Sequence, residues 1–126
     1  MKQERIPHKK VKIDGFVFDS KIEALRYKEL LLLQKGGRIS NLCIHPKFQL
    51  LKSFKSNHGI TQRAMSYSAD FSYTRNKIEI VEDVKSGYTL KDRVFRIKAK
   101  IFQNLYKNKY FYVALYAKKR FELCKI

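Results

Sequence analysis

The chain has 126 residues, enough for one domain with a sizeable core. Its 28 Lys and Arg stand against 11 Asp and Glu, a net charge of +17 that points to a polyanionic partner, nucleic acid ahead of an anionic membrane. No apolar run reaches the length of a membrane-crossing helix, and Cys43 and Cys124 are too few and too far apart for a zinc motif. The two cysteines read as reduced thiols of a cytoplasmic protein, and the charged start of the chain lacks the apolar segment of a secretory signal.

Residues 1–10 are basic and interrupted by Pro7, so they read as an arm preceding a single domain over residues 11–126. Asp14-Gly15 between two apolar triplets predicts a hairpin over residues 11–18. Ser20-Lys-Ile-Glu23 fits a capping box, in which Glu23 reaches back to the Ser20 backbone; the helix it opens runs to about Lys35 and stops at Gly36-Gly37. Residues 42–52 predict a strand, and Pro46 requires an edge position or a start after the proline. Residues 52–63 form a loop or loose hairpin that offers Lys55 and Arg63 to a phosphate backbone. A helix from about Leu90 to Lys107 is expected to bury Val94, Ile97, Ile101 and Leu105. Beside that stripe, offset by roughly 100°, Arg93, Arg96, Lys100, Gln103 and Lys107 form a basic stripe suited to lining a nucleic-acid groove. Residues 110–116 read as a strand covered on both faces, 117–120 as a turn and 121–126 as a last edge strand.

Between these segments lies the most informative stretch, Ser66 to Lys85. Strict alternation places Tyr67, Ala69, Phe71 and Tyr73 on one face of a strand and Ser66, Ser68, Asp70, Ser72 and Thr74 on the other. A second strand over residues 78–84 follows a two-residue turn at Asn76-Lys77. That turn pairs residue 75 with 78, which sets Asp70 opposite Asp83 and Ser68 opposite Lys85. Directly opposed carboxylates repel, and a cation between them resolves the conflict. His8, His45 and His58 lack the spacing of a metal cluster and read as surface or packing residues.

An acid on one strand followed by acid-x-Lys on the next resembles the PD-(D/E)XK nuclease superfamily, including small uncharacterised phage proteins assigned to it. The resemblance covers about three quarters of the chain and rests on Asp14-Gly15, the run from Phe18 to Ala24, Pro46-Lys-Phe48, Tyr67 to Phe71 and Val81 to Lys85. Ala69 stands where the motif's name has Pro, and Glu82 adjoins Asp83, so a one-residue bulge would exchange the two acids; Asp83 is preferred because Lys85 follows it by two. The resemblance implies a restriction-endonuclease-like α/β (α+β) fold, a mixed sheet flanked by helices behind an N-terminal hairpin. It implies Mg²⁺, with Mn²⁺ as a substitute, held by Asp70 and Asp83 with Glu23 as a further ligand or a base beside the ligands, and Lys85 as the catalytic cation, with Lys100 assisting. The activity implied is a DNA endonuclease, structure-selective for Holliday junctions or flaps and acting as a homodimer in phage recombination or replication. A non-catalytic nucleic-acid-binding protein on a degenerate nuclease scaffold is the alternative.

Overall fold

The structure is a computed structural model that describes residues 9–126; Met1–His8, most of the expected arm, lie outside the described residues. Strands β1 (Val11–Ile13) and β2 (Phe16–Phe18) form the expected hairpin, with Asp14 and Gly15 at positive φ in its turn. Tyr27 Oη donates to Asp14 Oδ2 at 2.7 Å and ties the hairpin to helix α1 (Lys21–Lys35). Ser20 Oγ caps α1 by accepting from the Glu23 N–H at 3.3 Å. The return half of the capping box is displaced by one residue: Glu23 Oε2 accepts from Asp19 N–H, at 3.0 Å.

The remaining strands are β3 (Ser40–Ile44), β4 (Lys47–Leu51), β5 (Phe54–Lys55), β6 (Thr61–Gln62), β7 (Met65–Ser68), β8 (Phe71–Arg75), β9 (Ile78–Ser86), β10 (Lys109–Ala117) and β11 (Arg120–Cys124). A 3₁₀ turn (Thr89–Lys91) leads into helix α2 (Arg93–Leu105), whose first free N–H groups are capped by Asp92. The main sheet has the order β11-β10-β9-β8-β3, and only its β9–β10 pair is parallel. The fold is therefore mixed α+β, with a five-stranded mixed sheet and an N-terminal hairpin. The β9–β10 connection carries α2, as a parallel pair requires a crossover. Phe18, Tyr27, Leu30, Phe71, Tyr73 and Ile80 pack between the sheet and α1, whereas Tyr67, Ala69, Val81, Phe95, Phe102 and Val113 pack on the α2 side. No helix among the described residues is long and apolar enough to cross a membrane.

The β8–β9 turn has the expected two residues. Asn76 and Lys77 have φ of 50° and 64°, and Arg75 pairs with Ile78 through to Phe71 with Glu82. The strand before that turn is not continuous. It breaks at Ala69-Asp70, opposite a second break at His45-Pro46. Pro46 has no N–H to give a ladder, and His45 sits at φ 53°, so the β3–β4 strand bends and its partner bends with it. The register is the same on both sides, with Ile44 paired to Phe71 and Lys47 to Ser68. The bend corrects two expectations. Tyr67 and Ala69 enter the α2 core while Phe71 and Tyr73 enter the α1 core, and Ser68 pairs with Lys47 instead of facing Lys85.

Helix α2 corrects a third. It buries Phe95, Ala99 and Phe102, whereas Val94, Ile97 and Leu105 are 62%, 59% and 50% exposed. Two adjacent stripes of this helix carry apolar residues, so periodicity alone does not choose between them. The stripe with two phenylalanines removes more apolar area from water, and Phe102 packs against Phe48, Tyr67, Tyr106 and Phe111.

Candidate metal centre

The cleft that holds the predicted acids arises from the bend. The β8–β9 ladder ends at Phe71 and Glu82, while β9 continues to Ser86. Beyond that point the Val84 N–H has lost its strand partner and donates to Asp70 Oδ2 at 2.7 Å. Alternation along β9 turns Asp83 and Lys85 to one side, away from Glu82 and Val84. Tyr67 Oη donates to Asp83 Oδ2 at 2.5 Å, and Lys85 Nζ lies 3.2 Å from Asp83 Oδ1. The Lys85 ammonium also sits 4.3 Å from the centre of the Phe95 ring, so α2 holds this side chain in place. Glu23 arrives from the first turn of α1, its Oε1 3.1 Å from His45 Nε2. Ligand atoms of Glu23, His45 and Asp70 all lie within 4.8 Å of one another. The cleft has a volume of about 1090 Å³, and Lys9, Ser20, Lys21, Ser86 and Thr89 also line it.

The charges in this cleft are unbalanced. Burial pushes the Asp70 carboxyl up to about 8, Glu23 pushes it further, and hydrogen bonds with Asp83 and the Val84 N–H only partly offset this. Burial likewise pushes Asp83 up to about 7, with the Asp70 charge adding to it and Lys85 pulling the other way. The Tyr67 hydroxyl is raised by burial and then by Asp83. Three carboxylates share the cleft floor with one closely paired ammonium, so a divalent cation fits the charge that is missing. Hard carboxylate oxygens suit divalent cations such as Mg²⁺ or Mn²⁺. Among the described residues the three ligand atoms close enough together for one ion are those of Glu23, His45 and Asp70, and Asp83 lines the same cleft without belonging to that group.

Glu82 lies outside the cleft. It is fully buried on the α1 side, where Arg26 Nε and Nη2 donate to its two oxygens at 2.6 and 3.0 Å and Tyr73 Oη donates at 2.7 Å. Burial works against the Arg26 charge, but the bonds and charge of Glu82 outweigh it and the guanidinium pKa is raised. Adjacent acids of one strand thus serve opposite faces, one in a structural ion pair and the other in the cleft. Tyr67 and His45 are the two partners of the cleft acids that the sequence pattern missed. Tyr67 reads as core, and most of its surface is. His45 sits in the bend between β3 and β4, so no sequence spacing links it to Glu23 or Asp70; its one signal is the Pro46 beside it, which marks the bend.

The six residues expected to touch nucleic acid, Lys55, Arg63, Arg93, Arg96, Lys100 and Lys107, are all exposed. None of them lines the acidic cleft. Arg96 and Lys100 instead border a separate groove of about 360 Å³ with Ile97, Gln103 and Ile126, so Lys100 is not placed to assist at the acids. That groove follows from the burial of Phe95 and Phe102, which turns the basic stripe and part of the apolar one outward together.

The family model described as "Protein of unknown function (DUF1064)" matches residues 3–120. The chain belongs to the DUF1064 family. Every cleft residue named above falls within the span matched by that family. No curated protein and no solved structure matches this DUF1064 chain.

Proposed function

We propose that the protein is a divalent-metal-dependent nuclease of the PD-(D/E)XK type that hydrolyses phosphodiester bonds in DNA. The observation that carries this reading is the presence of Glu23, Asp70, Asp83 and Lys85 in one cleft. Phosphodiester hydrolysis brings a nucleophile to a group that is already an anion, so the site needs concentrated positive charge and a means to orient water. Asp70 and Asp83, with Glu23, would hold Mg²⁺ or Mn²⁺, which when bound supplies Lewis acidity and lowers the pKa of water. Lys85 presents an ammonium, held between Asp83 and the Phe95 ring, that donates hydrogen bonds to a phosphate oxygen or to the attacking water. Tyr67 fixes the other Asp83 oxygen. Lys9 and Lys21 on the cleft wall, within a chain of net charge +17, draw the DNA backbone towards these groups. A domain of this size favours backbone and shape over base readout, which directs the proposal to branched DNA cut by a homodimer in the cytoplasm.

The test is incubation with labelled linear, flapped and four-way DNA in Mg²⁺ or EDTA, alongside Asp83→Asn and Lys85→Ala. Metal-dependent cleavage is expected, falling by roughly 100-fold or more in each variant while DNA binding is kept. Cleavage that survives both substitutions overturns the site. Binding without cleavage under any divalent metal leaves non-catalytic nucleic-acid binding as the function.

A further inference from the structure

His45 is joined to the cleft by two separate bonds. Its ring Nε2 lies 3.1 Å from Glu23 Oε1, and its backbone N–H donates to the Asp70 carbonyl at 2.9 Å. The first bond reaches helix α1 and the second reaches the residue that precedes β8. The ring also packs against Phe18, with centroids 5.8 Å apart, which limits how it can turn. On Glu23 the remaining oxygen accepts from the Asp19 N–H, so both carboxylate oxygens are held. A free Glu side chain has several rotamers, and ordering it costs conformational entropy. Here that ordering is already done before any ion arrives. With the Glu23 carboxylate accepting, Nε2 is the donor in this contact, so the ring holds the carboxylate by a hydrogen bond.

We propose that His45 is a positioning residue of the metal centre: its ring orients the Glu23 carboxylate, and its backbone fixes Asp70 beside it, for one divalent ion. The inference rests on the metal-centre reading above and adds to it a residue that touches the ligands without being one. Hydrogen-bond partners of metal ligands typically contribute 10- to 100-fold in affinity, and that is the expected contribution of the ring.

The variant of choice is His45→Gly. The backbone φ of 53° suits glycine, so the bend and the bond to Asp70 survive, and the side chain it replaces is 40% exposed, which leaves an opening for free imidazole. The measurement is titration of the whole protein with Mn²⁺, following free Mn²⁺ by electron paramagnetic resonance, with wild type in imidazole as the control. His45→Gly is expected to bind Mn²⁺ about 10- to 100-fold more weakly, and added imidazole is expected to restore most of the loss. His45→Asn, whose side chain tolerates the same φ but is shorter, checks that the fold is kept through its melting temperature. Wild-type affinity in His45→Gly overturns the proposal. So does a loss that imidazole does not rescue and that matches a fall in melting temperature. Imidazole-nitrogen coupling to the Mn²⁺ bound by wild type, read by pulsed electron paramagnetic resonance, overturns positioning and makes His45 a ligand. If wild type binds no Mn²⁺, or Asp70→Asn leaves binding intact, the metal-centre reading fails and His45 with it.

Discussion

Replacing Arg26 with Met leaves the Glu82 carboxylate with no cation in a site that is 0% exposed. Removing one partner of a buried ion pair costs about 3–5 kcal/mol, far more than removing an exposed one. For a domain of this size that loss lowers the melting temperature by about 10–20 °C. The same reasoning predicts recovery. Arg26→Met combined with Glu82→Leu removes both charges and is expected to return close to wild-type stability. That double variant still strands the Tyr73 hydroxyl, which donates to Glu82, so adding Tyr73→Phe is expected to regain a further ~1 kcal/mol. Thermal and urea unfolding of the single, double and triple variants measure these terms. If Arg26→Met costs less than about 1 kcal/mol, Glu82 is not held as a buried carboxylate, and its assignment to the α1 side of β9 falls. Mn²⁺ binding completes the comparison: Glu82→Gln keeps it, and Asp83→Asn loses it.

Stability is also expected to fall with pH in the absence of divalent metal. The folded chain holds the Asp70 proton up to about 8 against an ordinary value of 3.8, so across that window it carries a proton that the unfolded chain has released. This contribution is fully present below the unfolded value and is lost as pH rises through the folded one. Asp70→Asn is expected to show a flatter melting temperature over the window, and Mn²⁺ to raise the wild-type value most at its alkaline end. On α2, Ile97→Gln is expected to change stability by less than about 0.5 kcal/mol, whereas Phe102→Ala costs about 3–5 kcal/mol in urea unfolding. Lys77→Gly, at φ 64° in the β8–β9 turn, is expected to stabilise the hairpin by about 1 kcal/mol in thermal unfolding.

Local signals carried far along this chain because they act between near neighbours. Asp14-Gly15 and Asn76-Lys77 dictate their hairpins through backbone conformation, and Ser20 starts α1 through a single hydrogen bond. The β8–β9 register from Arg75–Ile78 to Phe71–Glu82 followed from the length of one turn, but the ladder stops one pair short of the expected Asp70–Asp83 pair, and Asp70 instead accepts from the Val84 N–H. Lys85 falls on the same side of β9 as Asp83, because a strand alternates its faces every residue.

Tertiary structure decided what depends on contacts between distant segments. Pro46 bends one strand, and its partner bends at Ala69-Asp70, which split a face that alternation had joined. Burial area chose Phe95 and Phe102 over Val94 and Ile97, a choice that period alone does not make. Arg26, 56 residues away in sequence, claimed Glu82 for the opposite side of the sheet. The bend between β3 and β4 then brought His45 against Glu23. Chain chemistry thus determined the acids, the lysine and the side of β9 that Asp83 and Lys85 share; the bend decided which of them form one cleft, because a strand leaving the sheet opens a space where helix α1 and strand β9 both reach.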